Sequence, residues 1–423
     1  MNRPLGPRGT ALLVGAAGGV ARALLSVLAS TPLGRALAAR LDALLLVDAR
    51  PLPPGPLPPV ARPLPPAAIR HADDLARLVR DHGVDQVVDL SSLDTLDAIR
   101  ACDAAGASYL DTSLEHWPGQ APRAWESLVL RALPPARPAL RRGSFLVGSG
   151  MNPGVVNALV FAGIEAFARR AGVAPTPEAL RLHAVLFTEE DTTVETMGGP
   201  PAGAFPMTWS PLHCLEELLL DDAIAVRRGE LVRLGHRPCD AWYRARCGDR
   251  VVEGFVVPHE EVLTLAERLP GQELAFVYRL PPAARAALAA APHRVRPAAW
   301  PLHRMYPPHR TALRGRDRVG VLLCSLRFGE LWLGYDVDAV AAGRLATSAT
   351  QLPVAAGVAA GWAQLGRRRG LHFVEDLDWR EHLARVDALL GRALVVHDPH
   401  APPRTLEERR AAAAPAEVAA LPA

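Results

Sequence analysis

A strand, a glycine turn, a helix and a second strand ending in an acid open this chain. That order constrains the fold more than any other feature. Residues 10–14 (TALLV) form a short apolar run. Gly15-Ala-Ala-Gly18-Gly19-Val20-Ala21 follows, and then apolar residues at helical spacing, Leu24, Leu25, Val27 and Leu28. A second apolar run, residues 43–47 (ALLLV), ends in Asp48. This is a βαβ unit, two strands joined by a crossover helix.

The same alternation continues. Helical patterns at residues 74–82 and 93–105 lead into strand patterns at 86–90 (QVVDL) and 108–111 (SYLD), and SFLV at 144–147 closes the block. Alternating strands and helices predict a Rossmann-type, doubly wound parallel sheet. Residues 50–66 (RPLPPGPLPPVARPLPP) interrupt it. Proline excludes helix and interior strand there, so this stretch is expected to cross the surface as polyproline II. After Asn157 the pattern changes. Residues 180–188, 273–279, 319–325 and 331–335 alternate like half-exposed strands, with helices between, which predicts an α+β domain with a mixed sheet. Residues 346–365 return to helix, and the Ala- and Glu-rich tail from Thr405 reads as a surface helix. At roughly 150 residues per domain the length suits two or three domains. The expected division is a nucleotide-binding domain over residues 1–150, a substrate-binding and dimerisation domain over 151–347, and C-terminal helices over 348–423 that pack back on the first domain.

Composition excludes several classes. Lys+Arg number 47 against Asp+Glu 44, a net charge of +3. That balance gives no nucleic-acid or membrane-surface footprint. The chain has no lysine, so no protein Schiff base, lysine general base or P-loop is available to it. The five cysteines are scattered with no CxxC pair, as expected of reduced thiols in a cytoplasmic protein. No apolar stretch approaches the ~18 residues of a membrane span. The apolar N-terminal run resembles a signal peptide, but Arg22 and the glycines inside it argue against one.

Four segments carry groups suited to chemistry. In the first, Gly15 and Gly18 end a strand where Gly19 and Val20 begin a helix. Backbone amides and the helix dipole can hold a pyrophosphate there. Asp48, ending the second strand, would bond both ribose hydroxyls of NAD and repel the 2′-phosphate of NADP. The spacing is GxxGxxA rather than GxGxxG, and Asp48 lies farther on than the ~20 residues of the usual motif. A glycine turn in a nucleotide-free α/β protein has the same appearance. The second segment, Tyr109-Leu-Asp111-Thr-Ser-Leu-Glu115-His116-Trp117, follows a strand, where ligands of open sheets sit. Asp111 as a cap and Trp117 as packing is the alternative. In the third, Gly148 to Gly154, Asn152 precedes a proline and either lines a pocket or caps a helix.

The fourth runs Thr188-Glu189-Glu190-Asp191-Thr192, then Thr208-Trp209-Ser210, then Glu216-Glu217. Carboxylates for ammonium ends and an aromatic face for cation–π contact would suit a dicationic amine. A solvated acidic loop beside a core tryptophan would read the same. His259-Glu260-Glu261, His303 and His309 fit no common zinc spacing, and no metal is expected.

Taken in order, these segments resemble the saccharopine dehydrogenase-like superfamily, and within it the bacterial homospermidine synthases. YLDTSLEHW, GMNPGVVNAL, TEEDTT and FPMTWS followed by Glu217 are each similar to a motif of that family. So are RVGVLL from Arg318, the stretch ATQLPVAAGVAAGW ending at Trp362, and the acidic segment from Val374 to Asp378. The likeness spans roughly residues 10–390. It implies an NAD-dependent, homodimeric enzyme that oxidises putrescine to an imine, exchanges the amine and reduces the new imine to homospermidine. It implies that Trp209 contacts the cationic intermediate and that Glu217 binds an amine end. Glu189, or Glu190, would act near the reacting nitrogen. Asn152 and Glu115 would line the pocket, with Asn152 and Asp111 at the cofactor, and Asp94 is a looser match. Glu190 and Arg279 stand where the family has an arginine and a histidine. An arginine at that point would repel a diamine or bind a carboxylate. A diamine, a carboxylated imine and a non-catalytic NAD-binding relative therefore all remain open.

Overall fold

The computed structural model describes residues 9–117, 139–305 and 312–412. The chain divides into two units: residues 1–158, 345–347 and 351–391 form one, and 159–344, 348–350 and 392–423 the other.

The first unit is built on a parallel sheet. Its strands are β1 (Gly9–Val14), β2 (Leu41–Val47), β3 (Ala61–Pro63), β4 (Gln86–Asp89), β5 (Ser108–Asp111), β6 (Ser144–Leu146) and the strand Gly370–His372. In space the order is Gly370–His372, β6, β5, β4, β1, β2, β3. Every pairing is parallel. The order reverses between β4 and β1, and that crevice at the carboxyl ends of the strands is where an open α/β sheet binds ligands. The helices α1 (Gly19–Ser30), α2 (Pro32–Ala38), α3 (Ala72–Asp81) and α4 (Thr95–Ala105) connect the strands. On α1, Leu24, Leu25, Val27 and Leu28 are buried, each contributing roughly 1.5–3 kcal/mol. Within the proline-rich stretch, residues 61–63 pair with β2 as the edge strand, a sheet position that tolerates proline.

The helix Gln351–Trp362 is buried on all sides except at Val354. Its small residues allow backbones to meet: a Cβ on Gly357 would lie 2.0 Å from the Gly150 carbonyl oxygen. Its end is anchored by the Trp362 indole, which donates to Gln86 Oε1 at 2.7 Å.

The second unit carries a nine-stranded mixed sheet. Its strands are β7 (Leu182–Asp191), β10 (Ile224–Arg227), β11 (Glu230–Arg233), β12 (Trp242–Cys247), β13 (Arg250–Val257), β14 (Glu273–Arg279), β17 (Arg316–Ser325), β18 (Gly329–Asp338) and Leu394–Asp398. Two short pairs flank it: β8 (Val194–Glu195) with β16 (Leu313–Arg314), and β9 (Phe205–Met207) with β15 (Leu302–Arg304). The β14–β7 pairing is parallel, while β7–β17 and β17–β18 are antiparallel.

Three sequence expectations change here. The central strands are not half-exposed: β7, β14, β17 and β18 are buried along nearly their whole length. The β12–β13 hairpin covers one face, burying Ala184, Leu186, Ala275, Val277, Leu322 and Trp332 with Tyr243 and Ala245. On the other face the helix Val155–Ala171 approaches so closely that a Cβ on Gly163 would lie 2.9 Å from Leu323 Cδ1. The tail also differs. Beyond Gly391 the chain joins the second unit by pairing Leu394–Asp398 with β18. From Thr405 to residue 412 it forms a short 3-10 turn, Glu407–Arg409, with Arg409 buried against Glu330 at 2.5 Å, and a bridge from Arg410 to Tyr243. The remainder of the expected tail helix lies outside the described residues.

Candidate functional site

In the first unit the chain leaves β1 at Gly15 with φ +74°, a left-handed conformation suited to glycine. A Cβ at Gly15 would also sit 2.5 Å from the Leu90 carbonyl oxygen just beyond β4. The Gly18 amide donates to the Gly15 carbonyl at 2.8 Å, and α1 then starts without a side-chain cap. Its first amides, from Gly19 and Val20 onward, have no intrahelical acceptors. Asp48 follows β2 and reaches this turn: Oδ2 accepts from the Ala17 amide at 3.0 Å and Oδ1 from the Arg50 amide at 2.9 Å. Uncapped amides, a close backbone turn and an adjacent carboxylate are the donor and acceptor set that a dinucleotide needs.

Asp111 does not join this set. It is 4% exposed. Its Oδ1 accepts from the Gly148 amide at 2.7 Å, and its Oδ2 from Thr95 Oγ1 at 3.2 Å and the Tyr109 hydroxyl at 3.3 Å. The carboxyl expected at the cofactor is therefore committed to internal bonds. The Tyr109 hydroxyl also bonds Asp89 at 3.0 Å. Burial pushes both acids up, Asp111 well above the usual carboxylate range.

The loop after β5 is stitched to the start of α4. The Glu115 amide donates to Thr95 Oγ1 at 2.9 Å, and Ser113 Oγ to Glu115 Oε1 at 3.1 Å. Asp94 caps α4 through the Asp97 amide and lies 3.5 Å from His116 Nδ1. Trp117 donates to Asp97 at 2.8 Å. Asn152 is half-buried in the turn before the helix Val155–Ala171. Asn157 bonds the backbone there, accepting from the Gly154 amide at 2.9 Å.

In the second unit, strand register sorts the acidic segment. Residues alternate faces along a strand, and direct cross-strand partners share a face. Glu189 pairs with Tyr278 and Val319, and Asp191 with Asp317. Glu190 pairs with Arg279 and Arg318 on the opposite face. There it lies 3.6 Å from Arg279 Nε and 3.5 Å from Arg318 Nη1. Arg279 also donates to the Glu253 carbonyl at 3.2 Å. The two residues that depart from the family pattern thus pair with each other.

The face bearing Glu189 is acidic and aromatic. Trp209 donates its indole N–H to the Tyr278 hydroxyl at 3.3 Å. Asp191 accepts from Thr208 Oγ1 at 2.7 Å and the Thr193 amide at 2.7 Å, and Thr350 joins this network at 3.0 Å from Thr208. Asp317 is 2% exposed. Burial first, then Glu189 and Asp191, push its carboxyl well above the usual range. Segment 188–191 is therefore buried strand rather than a solvated loop.

Glu217 lies on the helix Pro211–Leu218, whose start is capped by Ser210. Burial pushes its carboxyl up to about 8; His259 draws it down, while Glu260, Glu189 and Glu261 add to the rise. His259 Nδ1 lies 2.5 Å from Glu261 Oε2 and 3.6 Å from Glu260 Oε2. The shorter separation is that of a hydrogen bond. His303 bonds Glu195 at 2.7 Å, and His309 lies outside the described residues.

No protein-family model matches the chain, and no curated protein sequence matches it. Solved structures do. Homospermidine synthase from Legionella pneumophila, in complex with NAD, shares 18% identity over 93% of each chain, with a TM-score of 0.72. An apo saccharopine dehydrogenase (L-Glu forming) from Saccharomyces cerevisiae shares 11% identity over 92% of this chain and 99% of its own, at 0.55. The chain has the fold of these two enzymes.

Sequence reasoning left Glu189 and Glu190 as alternatives, and register separates them. It passed over Tyr278, Asp317 and the contacts of His259. For Tyr278 a signal existed, since it stands next to Arg279 on a strand already recognised. For Asp317, only its pairing with Asp191 reveals the cluster.

Proposed function

We propose that this protein is an NAD-dependent, homospermidine synthase-like enzyme acting on a diamine. The observation that carries the diamine reading is the separation of charge on the second sheet. Glu189, Asp191 and Asp317 share one face with Tyr278, while Arg279 lies on the other face, held by Glu190. An ammonium group would be complemented by the carboxylates of that face, and the register puts Arg279 on the opposite one.

Gly15, Gly18, Gly19 and Val20 would hold the pyrophosphate, and Asp48 the ribose hydroxyls. Asn152 and Glu115 are proposed to contact the nicotinamide side. Bound NAD supplies a hydride acceptor and donor. The net reaction joins two putrescine molecules into homospermidine and ammonia, with no net oxidation.

The protein's own groups account for the rest. Glu189 and Glu217 bind ammonium groups, and the Trp209 indole faces the cation, a contact worth about 0.5–2 kcal/mol. Glu217, with its carboxyl pushed up to about 8, is held in the range where a carboxyl exchanges a proton with an amine, protonated at neutral pH and able to accept as the pH rises through about 8. The half-buried Trp209 and the buried Tyr278 would limit the access of water to an imine. We further propose a homodimer working in the cytoplasm, where the cysteines stay reduced. No described helix is long and apolar enough to cross a membrane.

The test is incubation of the purified protein with NAD and putrescine. Homospermidine and ammonia in equal amounts, without accumulated NADH, are expected. Turnover of a carboxylated imine, with none of putrescine, would overturn the diamine reading.

A further inference from the structure

Asp111 turns away from the cofactor set, yet it is tied to both segments that carry the residues proposed at the nicotinamide side. Its Oδ1 accepts from the Gly148 amide at 2.7 Å, and its backbone carbonyl from the Ser149 amide at 2.8 Å. The turn bearing Asn152 grows from this point. Within it the Gly150 amide donates to the Pro153 carbonyl at 3.0 Å, and the Val155 amide to the Gly150 carbonyl at 3.1 Å. Gly150 packs so closely on Thr112, next to Asp111, that a Cβ there would lie 3.2 Å from the Thr112 carbonyl oxygen. The other carboxyl oxygen of Asp111, Oδ2, accepts from Thr95 Oγ1 at 3.2 Å. Thr95 in turn holds Glu115 twice. Its Oγ1 accepts from the Glu115 amide at 2.9 Å, and its own amide donates to the Glu115 carbonyl at 3.1 Å. Thr95 is wholly buried and Asp111 nearly so. With Asp94 at 3.5 Å from His116 and Asp97 accepting from Trp117, residues 115–117 are each held by a residue at the start of α4.

We propose that Asp111 is a positioning residue: one buried carboxyl, bonded through Thr95 on one oxygen and to Gly148 on the other, sets the spacing between Glu115 and Asn152. A carboxyl presents two acceptor oxygens in a fixed fork. Here each takes its donor from a different segment, Gly148 lying 37 residues after Asp111 and Thr95 16 before it. The Tyr109 hydroxyl, 3.3 Å from Oδ2 and 3.0 Å from Asp89 Oδ2, steadies the carboxyl from its own strand. An apolar side chain in place of Asp111 would leave the Gly148 amide and the Thr95 hydroxyl without this acceptor and the two segments without their common anchor. Groups at a reacting centre must be held to within about 0.5 Å, and a displacement of about 1 Å can cost about a hundredfold in rate. The glycine turn is bonded separately, Gly18 to Gly15 and Ala17 to Asp48. Affinity for the dinucleotide and alignment at its nicotinamide are therefore separable. The proposal rests on Glu115 and Asn152 contacting the nicotinamide side; it does not need putrescine to be the substrate.

The experiment compares Thr95→Val, Thr95→Ser and Asp111→Ala in the full chain. Thr95→Val keeps the side-chain shape and the backbone bond to Glu115 but removes the hydroxyl, whereas Thr95→Ser retains it. Thr95→Val is expected to lower kcat with putrescine at least tenfold and to change NAD affinity, measured by calorimetry, less than about twofold. It should also shift the fluorescence emission of bound NADH, which reports the surroundings of the nicotinamide. Thr95→Ser should restore both kcat and emission. Asp111→Ala, which releases both segments, should lower kcat further at the same NAD affinity; if it does not fold, Thr95→Val carries the test. A merely structural role would lower stability or NAD affinity while leaving kcat per bound NAD and the emission unmoved, and that result overturns the proposal. If the wild-type protein does not turn over putrescine, an emission shifted in Thr95→Val and restored in Thr95→Ser sustains the positioning role and overturns the diamine reading alone. An unshifted emission there overturns the positioning role as well.

Discussion

Replacing Arg279 by glutamine separates a structural arginine from a substrate-binding one. Arg279 Nε lies 3.6 Å from Glu190 Oε1, with the side chains 13% and 6% exposed. At an effective dielectric of about 20, the gross attraction at that distance is about 4–5 kcal/mol. Removing one partner of a buried pair costs about 3–5 kcal/mol when the other charge is stranded. Glu190 is not stranded, because Arg318 Nη1 remains 3.5 Å away. The hydrogen bond to the Glu253 carbonyl is also lost. The expected net loss is about 1–2 kcal/mol. It should appear as faster native-state amide exchange in β7 and β14, the strands the pair joins. Steady-state kinetics with putrescine should change less than about twofold in KM and kcat, since Arg279 lies on the face away from Glu189. A tenfold change in KM with unchanged exchange, equivalent to about 1.4 kcal/mol of binding, would refute this reasoning and put Arg279 in contact with substrate.

Other outcomes follow from the two units. Gly15→Ala forces a side chain into φ +74° and within 2.5 Å of the Leu90 carbonyl. The conformation alone costs about 1–2 kcal/mol, and NAD affinity measured by calorimetry should fall at least tenfold. Unchanged affinity would remove the turn from the cofactor site. Glu217→Gln should weaken putrescine binding at least tenfold and leave NAD binding intact; equal loss of both would count against its role as an amine site. His382 is 0% exposed, and among the described residues neither ring nitrogen has a partner. Burial first, then Arg385, lowers its pKa to about 3. The unfolded chain therefore binds a proton near 6.5 that the native ring refuses, so stability should fall as pH drops below about 6.5, by up to about 1.4 kcal/mol per unit. His382→Leu should flatten that part of the denaturation profile, and an identical slope in both proteins would refute the assignment.

Much of the first unit was legible because its signals are local. A run of apolar residues, a glycine that must turn, helical spacing and a terminal aspartate lie within one stretch of chain, and each dictates the conformation of its own neighbours. Even so, the sequence could not tell that Asp111 turns inward. The donors that claim it come from Gly148, Thr95 and Tyr109, and two of these are distant in the chain. Nor did alternation reveal that the central strands of the second sheet are covered on both faces, since the β12–β13 hairpin and the helix Val155–Ala171 arrive from elsewhere in the sequence.

The sequence by itself determined the βαβ opening, the parallel sheet and the order of the polar motifs. The tertiary structure alone decided which charges face one another. Shifting a strand by one residue exchanges its two faces, and the register of β7 is set by β14 and β17, about 90 and 130 residues farther along the chain. That register turns Glu189 towards Tyr278 and Glu190 towards Arg279. It makes neighbours in sequence, identical in chemistry, a proposed ammonium ligand and an ion-pair partner.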